Sequence, residues 1–394
     1  MINKGGVRVD SISQANQKSP FYTETHEAWR DTLRRWVERE ISPHATAWDE
    51  AEEFPRELYH KAAELGLLRL GYPEEFGGIP SDPFMSIIST QELARPGAGG
   101  IPASLMVHGI GAPPVAAMGS AAMKARVLPA ILAGEKLIAL GITEPSGGSD
   151  VAQLKTTARR DGDRYVVNGG KCYITGGMRA DYLTTAVRTG GPGASGVSLL
   201  LIEMDRPGIT RNKLRKMGWW ASDTAEIFFQ DVEVPAENLI GAEGRGFPII
   251  MMNFNNERLA LAAGATAYAR VAMEEAIDYA QQRHTFGKRL ADHQVIRHKI
   301  AEMARQVAAS QAYLEITAWR LTQGEHPIAD LCLLKVQATL TMEFCAREAL
   351  QIMGGAGYMR GSKAERIYRD VRVNAIGGGS EEIMRDLAAR QMGI

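Results

Sequence analysis

Five short segments of this 394-residue chain combine residue types that chemistry uses. Thr143-Glu144-Pro145-Ser146-Gly147-Gly148-Ser149-Asp150 follows a strand-like run over 137–142. Its two glycines and small hydroxyl side chains let backbone approach a planar or phosphorylated ligand closely; taken alone, it reads better as a plain polar loop. In Lys171-Cys172-Tyr173-Ile174-Thr175-Gly176-Gly177, strand alternation turns Tyr173 and Thr175 the same way. An aromatic and a hydroxyl on one face could meet a flat ring such as a flavin, although a core strand is the better reading of that segment by itself. Arg283-His284-Thr285-Phe286-Gly287-Lys288 sets an arginine near an aromatic, with a helix expected to end at Gly287. Arginine can clamp a pyrophosphate, and a cation at a helix end commonly answers only the helix dipole. Gln351-Ile352-Met353-Gly354-Gly355-Ala356-Gly357-Tyr358 offers close backbone contact after a helix, or a cap and a turn. Gly377-Gly378-Gly379-Ser380 opens a helix over 381–390, in principle a place for an anion or polar ligand.

The elements that must position these segments fall into three stretches. Over 24–48 the spacing of Trp29, Leu33, Trp36, Val37 and Ile41 predicts one helix, with Pro43 near its end. Further helices are expected over 55–68, 82–93, 100–118 and 121–133, with a loop over 71–78. After Lys136 the texture changes to short β-type runs at 155–160, 165–167, 197–204 and 226–232. Asp161-Gly162-Asp163 signals a hairpin between the first two. Helix returns over 247–283, apolar on one side, then 294–322 and 327–353. Long helices with short connections imply an antiparallel bundle. The expected division is a helical domain at 1–136, a β domain at 137–240 and a helical bundle at 241–394.

Bulk properties exclude several classes. The 45 basic and 46 acidic residues nearly cancel, leaving no electrostatic case for nucleic acid or an anionic membrane surface. Cys172, Cys332 and Cys345 match no metal-ligand spacing, and their odd, sparse count argues against a disulfide framework. The polar start over 1–20 suggests no secretory signal, and no apolar run approaches the roughly 18 residues of a spanning helix. The expectation is a reduced, cytoplasmic protein with no metal and no integral membrane segment.

Singly the five segments are unspecific, but their order and spacing together are not. Over about 21–392 the chain resembles the acyl-CoA dehydrogenase family. The resemblance rests on Tyr72-Pro73-Glu74-Glu75-Phe76-Gly77-Gly78, Thr143-Glu144-Pro145 with Gly148-Ser149-Asp150, the segment from Lys171 to Gly176, and Ser222-Asp223-Thr224-Ala225-Glu226. It continues in Glu257-Arg258, Arg283 with Phe286-Gly287, Gln294, Gln351 with Gly354-Gly355, and Tyr368-Arg369-Asp370. It implies an α+β chain: an N-terminal helical domain, a β-barrel-like middle domain and a C-terminal four-helix bundle, assembled as a homotetramer, a dimer of dimers. It implies FAD held between the β domain and the bundle, an acyl-CoA substrate, electron-transfer flavoprotein as electron acceptor, and a place in fatty-acid β-oxidation. Leu140, Ile142, Thr143, Ser149, Tyr173, Ile174 and Thr175 match positions lining the flavin ring; Tyr173 stands where a tryptophan is often found. Arg283, Phe286 and Gln294, with Gln351 and Gly355 from a neighbouring subunit, match positions around the adenosine diphosphate half. Ser380 and Glu382 are also carried over to the cofactor. Ser149, Asn255, Arg258 and Gly379 are carried over to the substrate.

The resemblance also bears on the proton acceptor. Many family members carry a catalytic glutamate in the loop where this chain has Gly378, which has no side chain. A second branch, similar to long-chain and isovaleryl-type dehydrogenases, carries it on the first bundle helix directly before an arginine, and Glu257-Arg258 occupies that place. Glu257 is thus expected to take the α-proton of a thioester. The backbone N–H of Gly378 and a flavin hydroxyl would face the enolate oxygen, and hydride would pass to flavin N5 to leave trans-2-enoyl-CoA. Most helical glutamates are surface or salt-bridged groups; Glu381 and Glu382 are the competitors nearest in sequence. The alternatives are an oxygen-using oxidase or flavin monooxygenase on the same fold, or a flavin- and CoA-binding protein without turnover. Missing side chains at Gly377 and Gly378 predict a recessed wall beside the acyl chain, suited to medium, long or branched chains, unless neighbouring side chains fill it.

Overall fold

The computed structural model describes residues 19–394. All but the last two residues of the polar start expected to hold no secretory signal lie outside the described residues. Helix α1 (Glu24–Glu40) begins at a reciprocal cap: the Thr23 hydroxyl accepts from the His26 N–H and the His26 ring accepts from the Thr23 N–H. It buries Leu33, Trp36 and Val37. The single helix expected over 24–48 is two, because the chain turns at Pro43, which lacks a backbone donor, before α2 (Ala45–Ala51). Helix α3 (Glu57–Glu64) unwinds at Gly66, φ 91°, into a 3-10 turn, Leu67–Arg69. Helix α4 (Pro83–Ala94) is capped by Asp82 and has proline in its first turn. Where one helix was expected over 100–118 there are three short ones, α5 (Gly100–Leu105), α6 (His108–Gly111) and α7 (Pro113–Met118). The run breaks at Met106-Val107 and again at Ala112, just before the Pro113-Pro114 pair, whose missing backbone donors cannot continue a helix. Helix α8 (Ala121–Leu132) completes the region.

The middle of the chain forms one eight-stranded sheet. Its strands are β1 (Ile138–Gly141), β2 (Thr157–Asp161), β3 (Arg164–Thr175), β4 (Tyr182–Arg188), β5 (Val197–Glu203), β6 (Ile209–Lys213), β7 (Thr224–Pro235) and β8 (Leu239–Ile240). The order is β6-β7-β3-β2-β4-β5-β8, with β1 parallel to β4. The β2–β3 hairpin forms at Asp161-Gly162-Asp163 as expected. Strand β5 is buried on both faces. Val197, Leu199 and Leu201 pack with Val115 and Val127 of the helices, whereas Leu200 and Ile202 face Tyr165, Val167 and Ile227 of other strands. The sheet therefore curls round a core of its own and carries helices on its outer side.

The last third is a bundle of α9 (Gly246–Gln282), α10 (Gln294–Thr322), α11 (Ile328–Met353), the short α12 (Gly355–Tyr358), α13 (Lys363–Ile376) and α14 (Glu381–Gln391). Helix α9 is not apolar on one side only: from Ala262 to Ala269 every residue is buried. Its alanines are short enough for α4, α10, α11 and α13 to approach from several directions, and all share one core. The expected helix end at Gly287 is corrected: α9 stops at Gln282. Phe286 and Gly287, at φ 51° and 78°, make the tight turn between β9 (His284–Thr285) and β10 (Lys288–Arg289). Asp370 on α13 accepts from the backbone N–H groups of Gly99 at 2.9 Å and Trp219 at 2.6 Å, tying the bundle to both other regions. Among the described residues no helix is long and apolar enough to cross a membrane, and no group of His, Cys, Asp and Glu side chains could hold a metal ion.

Candidate active site

Helix α9 carries Glu257 and Leu261 one turn apart, on one face. The loop between α13 and α14, residues 377–380, lies opposite. Gly378 sits at φ 66°, where a side chain is strained. A Cβ there would lie 3.6 Å from Glu257 Oε1 and 2.4 Å from Leu261 Cδ1. Glycine is favoured at 378, since a side chain would be strained and would displace Leu261, and the helix glutamate brings its carboxylate within contact of the place a loop side chain would start. Glu257 keeps part of its surface accessible, yet it is set deep among protein atoms. Burial pushes its carboxyl up to about 7, against the opposing pull of Arg258 and Lys335.

Leu261 also corrects the recessed wall expected at both Gly377 and Gly378. At 378 the volume is taken by the leucine. At 377 a Cβ would meet only the Val373 carbonyl oxygen, at 3.2 Å, so any added room lies there.

Three of the other expected substrate residues, Asn255, Arg258 and Gly379, lie on this helix or this loop, whereas Ser149 lies in the separate 143–150 loop. Arg258 is buried, and its Nη1 donates to Asn255 Oδ1 at 2.7 Å; its Nε is buried with no partner among the described residues. Gly379, at φ 101°, offers its carbonyl to the Lys335 ammonium at 2.6 Å. Sequence reading missed Lys335. Its signal was a lone charge inside the apolar run Leu331-Cys332-Leu333-Leu334-Lys335-Val336. The competing carboxylates are differently engaged. Glu381 pairs with Arg385 at 3.0 Å. Glu382 is exposed and held below the usual carboxylate range by the helix-terminal backbone N–H and the Ser380 hydroxyl. The Ser380 hydroxyl caps α14 at the Ile383 N–H.

A second locus lies where the 143–150 loop meets β3. The Cys172 N–H donates to the Thr143 carbonyl at 2.9 Å. The register of β3 against β7 slips between Lys171 and Ile174, so Lys171 and Cys172 are both buried and the alternation expected from the sequence begins only after them. Tyr173 stands at φ 60° with 71% of its surface exposed. Thr143, Thr175 and Leu140 are half-buried, Ser149 is exposed, and Ile142 and Ile174 are buried, able to offer a ligand only backbone. Beneath the loop is a pair that sequence reading left out: Lys171 Nζ lies 2.7 Å from Glu144 Oε1 and 3.1 Å from the Ile142 carbonyl. Glu144 also accepts from the N–H groups of Lys155 and Thr156. This buried network fixes the loop against the strand.

Arg283, Phe286 and Gln294 form a third locus, all exposed, beside the β9–β10 turn; Phe286 leaves 97% of its surface open. Gln351 and Gly355 are exposed around the end of α11.

Models for the N-terminal, middle and C-terminal domains of acyl-CoA dehydrogenase match residues 23–135, 139–232 and 244–393. The chain belongs to the acyl-CoA dehydrogenase family. Acyl-CoA dehydrogenase AFT10-1 of Alternaria alternata is 39% identical, over 94% of this chain and 92% of that protein. The crystal structure of a probable acyl-CoA dehydrogenase from Mycobacterium abscessus has a TM-score of 0.93 at 47% identity and covers 95% of this chain and 100% of its own. A glutaryl-CoA dehydrogenase from Mycobacterium smegmatis, solved in complex with FADH2, has a TM-score of 0.90 at 25% identity and covers 97% of each chain. Acyl-CoA dehydrogenases are FAD-dependent oxidoreductases. In the second locus of this acyl-CoA dehydrogenase the Tyr173 side chain is open and Thr143 and Thr175 are partly exposed, residue types that suit a flat ring with polar edges.

Proposed function

We propose that this acyl-CoA dehydrogenase removes the α-proton of an acyl-CoA thioester with Glu257 and yields a trans-2-enoyl-CoA. The observation that carries the reading is the 3.6 Å between Glu257 Oε1 and the place a Gly378 Cβ would take. An α-proton of a thioester is a weak acid, so a base raised to about 7 is better matched to it than an exposed carboxylate. Bound FAD supplies the hydride acceptor for the β-carbon. The Gly378 N–H is the donor for the thioester oxygen as charge develops there. Ser149, Asn255, Arg258 and Gly379 contact the substrate. Leu140, Ile142, Thr143, Tyr173, Ile174 and Thr175 receive the flavin ring, and Arg283, Phe286 and Gln294 the adenosine diphosphate half.

Electrons leave to an electron-transfer flavoprotein. The exposure of Gln351 and Gly355 suits residues offered to a neighbouring subunit of a tetramer. Room beside Gly377, rather than beside Gly378, favours a medium, long or branched acyl chain. The test is anaerobic: purified yellow protein is mixed with acyl-CoAs of increasing length, straight and branched. Bleaching with formation of the 2-enoyl product, and reoxidation by electron-transfer flavoprotein rather than by oxygen, is the expected result. Rapid oxygen consumption without another acceptor would mark an oxidase, and no bleaching by any acyl-CoA would mark a binding protein.

A further inference from the structure

Lys335 is 1% exposed in the middle of α11, flanked along its helix by the buried Leu331, Leu334 and Ala338. A lysine so placed is ordinarily closed by a carboxylate, as Lys171 is by Glu144 at 2.7 Å. Lys335 has no carboxylate within ion-pair distance among the described residues. Its hydrogen bond goes to a backbone oxygen, the Gly379 carbonyl, at 2.6 Å. The titratable and charged groups close enough to act on it come from three elements: Glu257 and Arg258 on α9, Glu381 on α14 and Cys332 on its own helix. Glu381 already has a partner in Arg385. The ammonium therefore holds the loop whose Gly378 lies beside the Glu257 carboxylate, and has no ion-pair partner of its own among the described residues.

We infer that Lys335 is a positioning residue for proton transfer, pinning the 377–380 loop through the Gly379 carbonyl and supporting the charged form of Glu257. The inference rests on the reading of Glu257 as the base. The loop needs an anchor because Gly378 and Gly379, at φ 66° and 101°, have the freest backbone available, and the direction of the Gly378 N–H depends on them. The carboxylate needs a cation because burial alone favours its neutral form, which cannot accept a proton. Burial lowers Lys335 itself only to about 8, so its charge persists across the range near 7 in which Glu257 titrates. Arg258 also favours the charged form of Glu257, but its hydrogen bond goes to Asn255, so among the described residues Lys335 is the cation that joins the loop to that carboxylate.

The test uses FAD-loaded protein and three variants. Lys335→Met removes charge and donor, Lys335→Gln keeps a neutral donor, and Lys335→Arg keeps the charge. The Glu257 carboxyl is titrated by infrared difference spectroscopy against Glu257→Gln, without substrate, and anaerobic bleaching by an acyl-CoA is followed against pH. In Lys335→Met and Lys335→Gln both the carboxyl titration and the acid limb of the rate profile should move up by about one pH unit, as expected for losing a nearby opposite charge. Lys335→Arg should restore both, and the melting temperature reports whether each variant folds. If Lys335→Met does not fold, the comparison of Lys335→Gln with Lys335→Arg decides. A carboxyl titration unmoved in the neutral variants overturns the inference even if the rate falls, since a loosened core alone would slow the enzyme. Native-rate bleaching by Glu257→Gln would instead remove the reading on which it rests.

Discussion

Glu257 and Gly378 share one corner of the bundle: a carboxylate from α9 fills the place toward which a side chain at 378 would point, 3.6 Å from its would-be Cβ. The two positions are alternatives. A side chain at 378 would sit in a strained backbone conformation, touch the helix carboxylate and require Leu261 to move, so the corner as built takes its carboxylate from α9.

Gly378→Ala should therefore damage both stability and turnover. The new methyl meets Leu261 Cδ1 at 2.4 Å, and alanine is strained at φ 66°. The backbone term alone is about 1 kcal/mol. Adding Leu261→Ala should relieve the steric part and leave the backbone part. Denaturant unfolding of the single and double variants measures this; equal stability of the native protein and Gly378→Ala would show that the loop is not held as described.

The Glu144–Lys171 pair should be sensitive to losing one member. Lys171→Met leaves a buried carboxylate with two backbone donors but no cation, and breaking such a pair costs about 3–5 kcal/mol. Glu144→Gln together with Lys171→Met should recover much of that loss. Because the pair braces the 143–150 loop against β3, the single variant should also retain less flavin. Flavin content after gel filtration, read beside the unfolding midpoint, checks both parts.

Arg283→Ala should reduce flavin retention while leaving the melting temperature of the flavin-free protein nearly unchanged. The side chain is exposed at the end of α9 and makes no hydrogen bond among the described residues that folding would miss. Losing a charge-assisted contact to the pyrophosphate is the expected cause. Full flavin occupancy in the variant would remove the assignment.

Particular elements explain what was legible in the sequence. Helix α10 was read to its ends because one apolar stripe repeats between a turn and a cap. The stretch over 100–118 was misread because its apolar residues keep a helical rhythm while the backbone breaks at Met106-Val107, where no glycine or proline marks it, and at Ala112 before Pro113. Glu257 was legible because an arginine follows it and because Gly378 leaves a gap elsewhere in the chain. Leu261 as the filler of that gap was not, since it depends on how far α9 is rotated toward the loop. Lys335 was hidden for the same reason: a lone charge in an apolar helix shows that something must receive it, and only the packing of α11 against the 377–380 loop shows what. The slip in β3 at Tyr173 depends on pairing with β7, more than fifty residues away, which no local pattern records.

The most direct measurement is the pH dependence of anaerobic flavin bleaching by an acyl-CoA, in the native protein and in Glu257→Gln. A general base acts as its carboxylate, so with the Glu257 carboxyl pushed up to about 7 by burial the native rate should climb as pH rises through about 7 and level off above it. Glu257→Gln should keep its fold and yellow colour but bleach about 10²–10⁴-fold more slowly, the usual contribution of a positioned base, and should lose the acid limb. A variant that bleaches within tenfold of the native rate with the same pH profile would contradict the account, and Glu381 or Glu382 would become the group to test.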